Sequence, residues 1–297
     1  MYILGINTYH GDASACIFKN GELIAAIEEE RIVRIKHWAG FPCKAVKFCL
    51  EEAGINITQV DHITIARDPS ANVLKKAVHV LKNLTSIDAV RDRLLNKKKI
   101  SNIIKDFSSC FNIEENDITA EIHNFEHHRS HMASAFFASP FKESAVLSID
   151  AFGDFTSTML GKGAGNKINV MSQVNFPHSV GAFYTAFTQY LGFNCFGDEY
   201  KLMGLSPYGT PAMLKQVRDV VIFKNNGLFE LNLDYFTHHA KGVKTKIMSE
   251  SDPTPSRIFS DLMIDKFGPR RNKGDKITQH HKDLASSVQR VTEELIF

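Results

Sequence analysis

The sequence has few of the features that mark secreted, membrane-spanning or nucleic-acid-coating proteins. Its 297 residues include five cysteines, an odd number without a CxxC pair, so the spacing indicates neither a disulfide framework nor a thiolate zinc site. No basic-then-apolar leader opens the chain, and no run of about 18 apolar residues occurs. The 35 Lys and Arg residues nearly balance the 33 acids, so the chain lacks the strong net charge of a protein that coats nucleic acid or of an acidic tail. We expect a cytoplasmic protein without membrane contact.

The composition, with 43% hydrophobic and 23% charged residues, is sufficient for a large apolar core. Tyr2 to Ile27 predicts three short strands, with Asn20-Gly21 as a type I′ turn between the second and third. A helix ending at Gly54 and a strand at His62 to Ala66 follow. The last helix, from about Thr278, stops on apolar residues without a cap, which predicts that the chain is cut short.

Residues 71 to 105 carry nine Lys or Arg against two acids. The favoured interpretation is a solvated helical insertion whose apolar side packs down. The alternative is a surface that meets an anionic partner.

The opening pattern recurs in the second half of the chain. GINTYHGDASACIF and SIDAFGDFTSTMLG both place a Gly-Asp pair, Gly11-Asp12 and Gly153-Asp154, at the bend between two strands. Such a duplication predicts two similar lobes that face each other across a cleft. Each bend would offer backbone N–H groups for phosphate and a carboxylate for a metal ion or a proton.

The segment NFEHHRSHMASAFFASPF carries the strongest local signal. His127 and His131 are four residues apart on a predicted helix, which puts both imidazoles on one face, whereas His128 points elsewhere. With a carboxylate as a third ligand, the pair would suit ferrous iron or another redox-capable divalent cation.

Two further segments are open to more than one interpretation. GDEYKLMGLSPYG is predicted as a glycine-rich loop in which Lys201, beside Glu199 and Gly204, either neutralises phosphate or is merely solvated. EEERIVRIKH could clamp an anion with its basic residues, or pair them with Glu28 to Glu30 on the surface, which is the favoured interpretation.

Taken together and in order, these segments resemble the NodU/CmcH family of O-carbamoyltransferases. The resemblance rests on HGDASA, EEERIVRIKHWAGFP, EHHRSHMASAFFASPF, SIDAFGD, HSVGAFYTAFTQYLGF, GDEYKLMGLSPYG and the block from FGPRRN onward. It implies an α/β, Kae1-like N-terminal domain with duplicated lobes of the actin, sugar-kinase and Hsp70 type, truncated before the end of the second lobe. The lobes would span 1–142, with a basic helical insertion at about 71–110, and 143–297.

The resemblance also implies a reaction. A YrdC-like C-terminal domain, absent here, would make carbamoyl-adenylate from carbamoyl phosphate and ATP. The N-terminal domain would then transfer the carbamoyl group to a hydroxyl of a small molecule or sugar. The 297-residue chain alone is expected to be inactive. One alternative is a tRNA threonylcarbamoyl-transferase relative whose basic segment faces RNA, although a nucleic-acid partner is not expected; another is a non-catalytic nucleotide-binding lobe.

Residue by residue, the resemblance makes His127 and His131 ligands of a divalent metal, Fe²⁺, with the aspartate ligand beyond the last residue. The expected catalytic residues are Asp12, His10 and Asp154. Ala151 departs from the glycine common in this turn, which puts nucleotide approach there in doubt. The residues expected to contact ATP or carbamoyl-adenylate are Gly11, Ser14, Asp150, Gly153, Glu199, Lys201 and Gly204.

Overall fold

The computed structural model describes residues 1–82, 102–243, 245–248 and 251–297, which form a mixed α/β structure. The chain divides into two compact units, Met1–Ala77 with Ser86–Ser130, and Val78–Thr85 with His131–Phe297. Residues 83–101, the middle of the predicted basic insertion, lie outside the described residues. Among the residues described, no helix is both long and apolar enough to cross a lipid bilayer.

A five-stranded mixed sheet forms the centre of the first unit, in the order β3-β2-β1-β4-β5. The first three strands are antiparallel, and β1, β4 and β5 run parallel to one another. Asn20 and Gly21 have positive φ angles of 52° and 88°, which confirms the predicted type I′ turn. The strands are β1 (Tyr2–Asn7), β2 (Ser14–Lys19), β3 (Glu22–Glu28), β4 (His62–Ile65) and β5 (Glu121–Asn124).

Helices cover one face of this sheet and close its core. Leu4 and Ile63 from the sheet and Val46 and Phe107 from the helices are fully buried in it. The helices in this part of the chain are α1 (Glu29–Val33), α2 (Cys43–Ala53), α3 (Val73–Lys82) and α4 (Ile103–Phe111).

A disulfide joins Cys43, the first residue of α2, to Cys110 near the end of α4. The cysteine spacing had indicated no disulfide framework, so this bond corrects that expectation. The two cysteines are 67 residues apart, and only the packing of α2 beside α4 brings their Cα atoms to 5.8 Å. The spacing of the cysteines along the chain could therefore not predict this pair.

The start of α2 is held by a buried acid from α1. Pro42 precedes the helix and has no side-chain acceptor for its first amides. The carboxylate of Glu29, which is 2% exposed, accepts instead from the backbone N–H groups of Lys44 (3.2 Å) and Ala45 (2.6 Å). A negative group at this position also interacts favourably with the positive end of the helix dipole.

The second unit is built on an antiparallel meander in the order β6-β7-β8. Its apolar core centres on Phe183, Phe187, Tyr190 and Leu284. The remaining strands are β6 (Glu143–Gly153), β7 (Thr156–Ala164), β8 (Lys167–Asn175), β9 (Val221–Phe223), β10 (Phe229–Leu231), β11 (Thr245–Met248) and β12 (Ser251–Pro255). The remaining helices are α5 (His127–Phe137), α6 (Val180–Tyr190), α7 (Glu199–Leu205), α8 (Leu214–Arg218), α9 (His238–Lys241), α10 (Asp261–Phe267) and α11 (Gln279–Ile296).

His238 lies inside an aromatic cluster of this unit and is 1% exposed. Its ring centroid is 5.7 Å from those of Phe152 and Phe236, and its Nε2–H donates to the carbonyl oxygen of Pro177 at 2.7 Å. Burial among apolar rings disfavours the charged imidazolium and lowers the pKa of His238 to about 4. The native protein therefore requires a neutral ring here.

Replacing Glu29 by alanine should destabilise the protein by about 3 kcal/mol, because two buried amides lose their acceptor. Urea unfolding of Glu29→Ala and of the parent protein measures this loss. The matched control is Glu28→Ala, which removes only a surface pair with Arg31 and should cost less than about 1 kcal/mol. Equal losses in the two variants would contradict the capping role.

His238 should make the protein less stable in acid. Above pH 6.5 the His238 ring is neutral in both the folded and the unfolded protein. Between about pH 6.5 and pH 4 the ring takes up a proton only in the unfolded chain. The free energy of unfolding should therefore fall by roughly 3 kcal/mol over that interval. In His238→Gln, which keeps an N–H donor for Pro177, urea unfolding at pH 7.5 and 4.5 should show a difference smaller by that amount. An unchanged difference would refute this contribution.

Candidate active site

Helix α5 carries the histidine box, and its first turn is fixed by Glu126. The Oε2 atom of Glu126 accepts from the backbone N–H of Arg129 at 2.8 Å, as expected of a residue at the start of a helix. His127 and His131 follow one turn apart on the same face. His128 is fully buried, so it does point elsewhere, as predicted.

Two glycines of β7 let α5 lie close against the meander. The buried side chains of Met132 and Phe136 pack directly on the strand. A Cβ at Gly163 would come within 2.6 Å of the Phe136 ring, and one at Gly161 would come equally close to Met132. A larger residue at Gly163 would push the Phe136 ring, and α5 with it, away from the sheet.

Asp150, near the end of β6, is fixed by the start of α6. Ser179 Oγ donates to the Asp150 carbonyl oxygen at 3.1 Å, and the same Oγ caps the helix by accepting from Ala182 N–H. A Cβ on Gly181 would lie 2.7 Å from the Cα of Ala151, so the helix start approaches the strand as closely as a glycine permits. The Asp150 carboxylate is then 3.6 Å, Oδ2 to Nε2, from His131.

His131 and Asp150 each offer one ligand atom, 3.6 Å apart, and His127 lies one turn earlier on the same helix. Two imidazoles and one carboxylate are a donor set that suits borderline divalent cations such as Fe²⁺ or Zn²⁺. The side chains of His131 and Asp150 are 51% and 41% exposed, which leaves room for further ligands. The residues present therefore suit a divalent cation with open coordination positions.

Asp150 lies where it could act as a metal ligand. From the sequence it was expected to contact the nucleotide, and the metal's aspartate was expected beyond the last residue. The structure brings Asp150 beside His131 instead, so a third candidate ligand lies within this chain.

The loop between β1 and β2 contains His10, Gly11 and Asp12, at the predicted bend. The His10 ring meets the His127 ring edge-on, with centroids 5.9 Å apart. His10 Nδ1–H donates to the carbonyl oxygen of Gly11 at 3.1 Å. Asp12 has a φ of 64°, a conformation that costs a non-glycine residue energy and that is often found at functional sites.

The Asp12 carboxylate is held by His37, which follows α1 in the EEERIVRIKH segment, and His37 is held in turn by Glu30 of α1. His37 Nδ1 lies 2.8 Å from Asp12 Oδ1, and the backbone N–H of His37 donates to Glu30 Oε2 at 2.8 Å. The three side chains offer ligand atoms within 4.8 Å of one another. Arg34 and His37, with φ angles of 62° and 54°, turn the chain back toward Asp12.

The same loop is anchored to α4. The Tyr9 hydroxyl donates to Asp106, and burial together with this hydrogen bond raises the pKa of Tyr9. Elsewhere in EEERIVRIKH, Arg31 pairs with Glu28 at 3.2 Å on the surface. For Arg31, the surface interpretation was correct.

Ser14, Gly153 and Asp154 mark strand ends. Ser14 opens β2, and Gly153 closes β6 opposite Thr156. Asp154 and Phe155 form the two-residue turn to β7, with φ angles of 48° and 80°. Both predicted Gly-Asp pairs thus lie at strand connections.

The predicted glycine-rich loop around Lys201 is instead helical, because Glu199, Lys201 and Gly204 all belong to α7. Glu199 Oε1 accepts from the Thr185 hydroxyl at 2.5 Å. Lys201 Nζ donates to Asp198 at 2.5 Å, a hydrogen bond that raises the pKa of the lysine. The structure therefore ties both charged side chains to protein partners.

The chain matches the family model described as the carbamoyltransferase N-terminus over residues 2–297. The uncharacterized protein sll1178 of Synechocystis sp. is 37% identical over 306 residues, which cover 99% of this chain and 47% of that protein. The nodulation protein NolNO of Sinorhizobium fredii is 32% identical over 299 residues, which cover 98% of this chain and 38% of NolNO. The chain thus spans less than half the length of these relatives.

Among solved structures, YeaZ from Pseudomonas aeruginosa is similar with a TM-score of 0.33 at 14% identity, over 60% of this chain and 68% of YeaZ. At that score the likeness supports no conclusion about the fold. The family match covers almost every residue, and it includes both the Asp12 loop and the histidine box. The chain belongs to the carbamoyltransferase N-terminus family.

Proposed function

We propose that the full-length protein transfers a carbamoyl group from carbamoyl-adenylate to a hydroxyl of a small-molecule or sugar acceptor. The observation that carries this proposal is the pairing of Asp150 with His131, on the helix that also carries His127, in a chain of the carbamoyltransferase N-terminus family; the His127 ring contacts His10. The part of the protein outside this chain would make the adenylate from carbamoyl phosphate and ATP, in a YrdC-like domain.

The fold proposed for this part is a pair of actin-like lobes. The antiparallel meander of β1 to β3 and that of β6 to β8 support it, because each joins its first two strands through a Gly-Asp connection. Backbone N–H groups at such connections are suited to phosphate oxygens, which favours contacts from Gly11, Ser14 and Gly153 to the nucleotide.

A divalent cation, Fe²⁺ by the family resemblance, would be held by His127, His131 and Asp150. When bound, it would supply Lewis-acid stabilisation of the negative charge that develops on the carbonyl or phosphate oxygens. The chain's own contribution is to fix the ligands in advance, through the tight packing of α5 on β7 and of α6 on β6.

In the proposed reaction the acceptor hydroxyl oxygen bonds to the carbamoyl carbon. The bond from that carbon to the phosphate oxygen breaks, and AMP leaves with the electron pair. A carboxylate removes the hydroxyl proton, and Asp12 or Asp154 is the candidate. His37, 2.8 Å from Asp12, would orient that carboxylate, and His10 would contact the carbamoyl group or the acceptor.

Removing the metal ligands should reduce carbamoyl transfer at least about 100-fold, since several kcal/mol of transition-state stabilisation would be lost. Full-length His127→Ala, His131→Ala and Asp150→Asn should each show this loss, together with less bound iron by elemental analysis. The control is Arg129→Gln, an exposed residue on the opposite side of α5. Parent-level rates in the ligand variants would refute the metal role.

Paired aspartate variants should identify the base. If Asp12 takes the proton, Asp12→Asn should lower kcat by about 10² to 10⁴, while Asp154→Asn should leave it within about tenfold. His37→Gln should then lower kcat less than Asp12→Asn, because it removes orientation rather than the base. The reverse order of the two asparagine variants would assign the base to Asp154.

A further inference from the structure

A second cluster of ligand-type side chains lies on the first sheet, away from the site already described. His62 opens β4, and Glu121 and His123 belong to the neighbouring parallel strand β5. In register, Glu121 is opposite His62, and His123 is opposite Thr64. Because side chains alternate along a strand, all four project from the same face, while Ile63 and Ile65 project into the core.

Three atoms of this cluster converge. His62 Nδ1 lies 3.0 Å from His123 Nε2 and 3.7 Å from Glu121 Oε2, and the last two atoms are 3.9 Å apart. A triangle with these sides has one point about 2.1 Å from each corner, which is the bond length that zinc makes to histidine nitrogen and carboxylate oxygen. The three donor atoms are therefore spaced as the ligands of one ion would be.

We propose that His62, Glu121 and His123 bind a borderline divalent cation of the zinc class, separately from the His127 cluster. Two imidazoles and a single carboxylate favour such an ion over Mg²⁺ or Ca²⁺, which take mainly oxygen ligands. Glu121 is 70% exposed, so the remaining coordination positions face solvent and are open to water or an oxygen-bearing ligand.

The place of this site in the sheet separates it from the catalytic candidates. His62 and Glu121 begin their strands, whereas the loop with His10 and the helix with His127 follow the opposite, carboxyl ends of β1 and β5. The first residue of a four-residue strand lies roughly 10 Å from its last, so His62 and Glu121 are far from those ends, whereas His123, the third residue of β5, is nearer to them. An ion at His62 thus has its own ligands and does not depend on the proposed carbamoyl transfer.

The test is zinc titration by calorimetry on the chelator-treated chain, in a His127→Ala/His131→Ala background that removes the first cluster. We expect one equivalent of Zn²⁺ to bind and Mg²⁺ to give no saturable heat. His62→Gln, Glu121→Gln and His123→Gln should each weaken zinc binding at least about 100-fold, since loss of even an indirect partner costs 10- to 100-fold. Glu52→Gln, an exposed acid on α2, is the control and should bind as the background does.

A parallel measurement guards against a background that fails to fold. In the otherwise unchanged chain, His123→Gln should lower the zinc stoichiometry by one equivalent, with the same unfolding midpoint in the absence of metal. Co²⁺ should give visible absorption bands that the same substitution removes. No saturable zinc heat, or stoichiometry unaffected by all three substitutions, would show that the His62–His123 contact is a hydrogen bond alone and overturn the proposal. Carbamoyl transfer is not measured in either experiment, so failure here leaves the proposed function untouched.

Discussion

Close approach of two helices to one antiparallel meander determines the geometry of the histidine and aspartate cluster. Gly163 gives Phe136 of α5 direct access to β7, and Gly181 brings the start of α6 against the backbone at Asp150. Because both contacts involve backbone or buried rings, the helices have little room to shift. The His131 imidazole and the Asp150 carboxylate are therefore placed by packing rather than by their own weak mutual attraction, which suits a site that must be preorganised.

Local patterns predicted several elements of secondary structure. Alternation and the Asn20-Gly21 turn predicted β1 to β3, and apolar periodicity predicted α2 and α11. The parallel pairing of β1 with β4 and of β4 with β5 was not predicted, because it joins residues some 60 positions apart that carry no mutual signal. The α7 helix was mistaken for a loop, since its glycines suggested a break where tertiary packing supplies the stability.

The candidate site, too, could be predicted from the sequence only in part. The i, i+4 spacing of His127 and His131 is a helix property and could be read directly from the sequence. Asp150 could not be paired with them, because its position depends on Ser179 and Gly181, about 30 residues further along. His37 lies beside Asp12 after a turn in which Arg34 and His37 itself adopt positive φ angles, a conformation that propensities disfavour. The roles assigned to all these residues in catalysis stay predictions.

The covalent link between α2 and α4 has a further implication for how the first unit comes apart. Tyr9 contacts Asp106 on α4, so the bond ties the helix that supports the loop with His10 and Asp12 to α2, whose start is held by Glu29. A peptide bond hydrolysed anywhere between Cys43 and Cys110 would leave two polypeptides still tied together. Reduction of the disulfide would remove this covalent tie, and until then the nicked molecule would keep α4 and its contact with Tyr9 attached to α2.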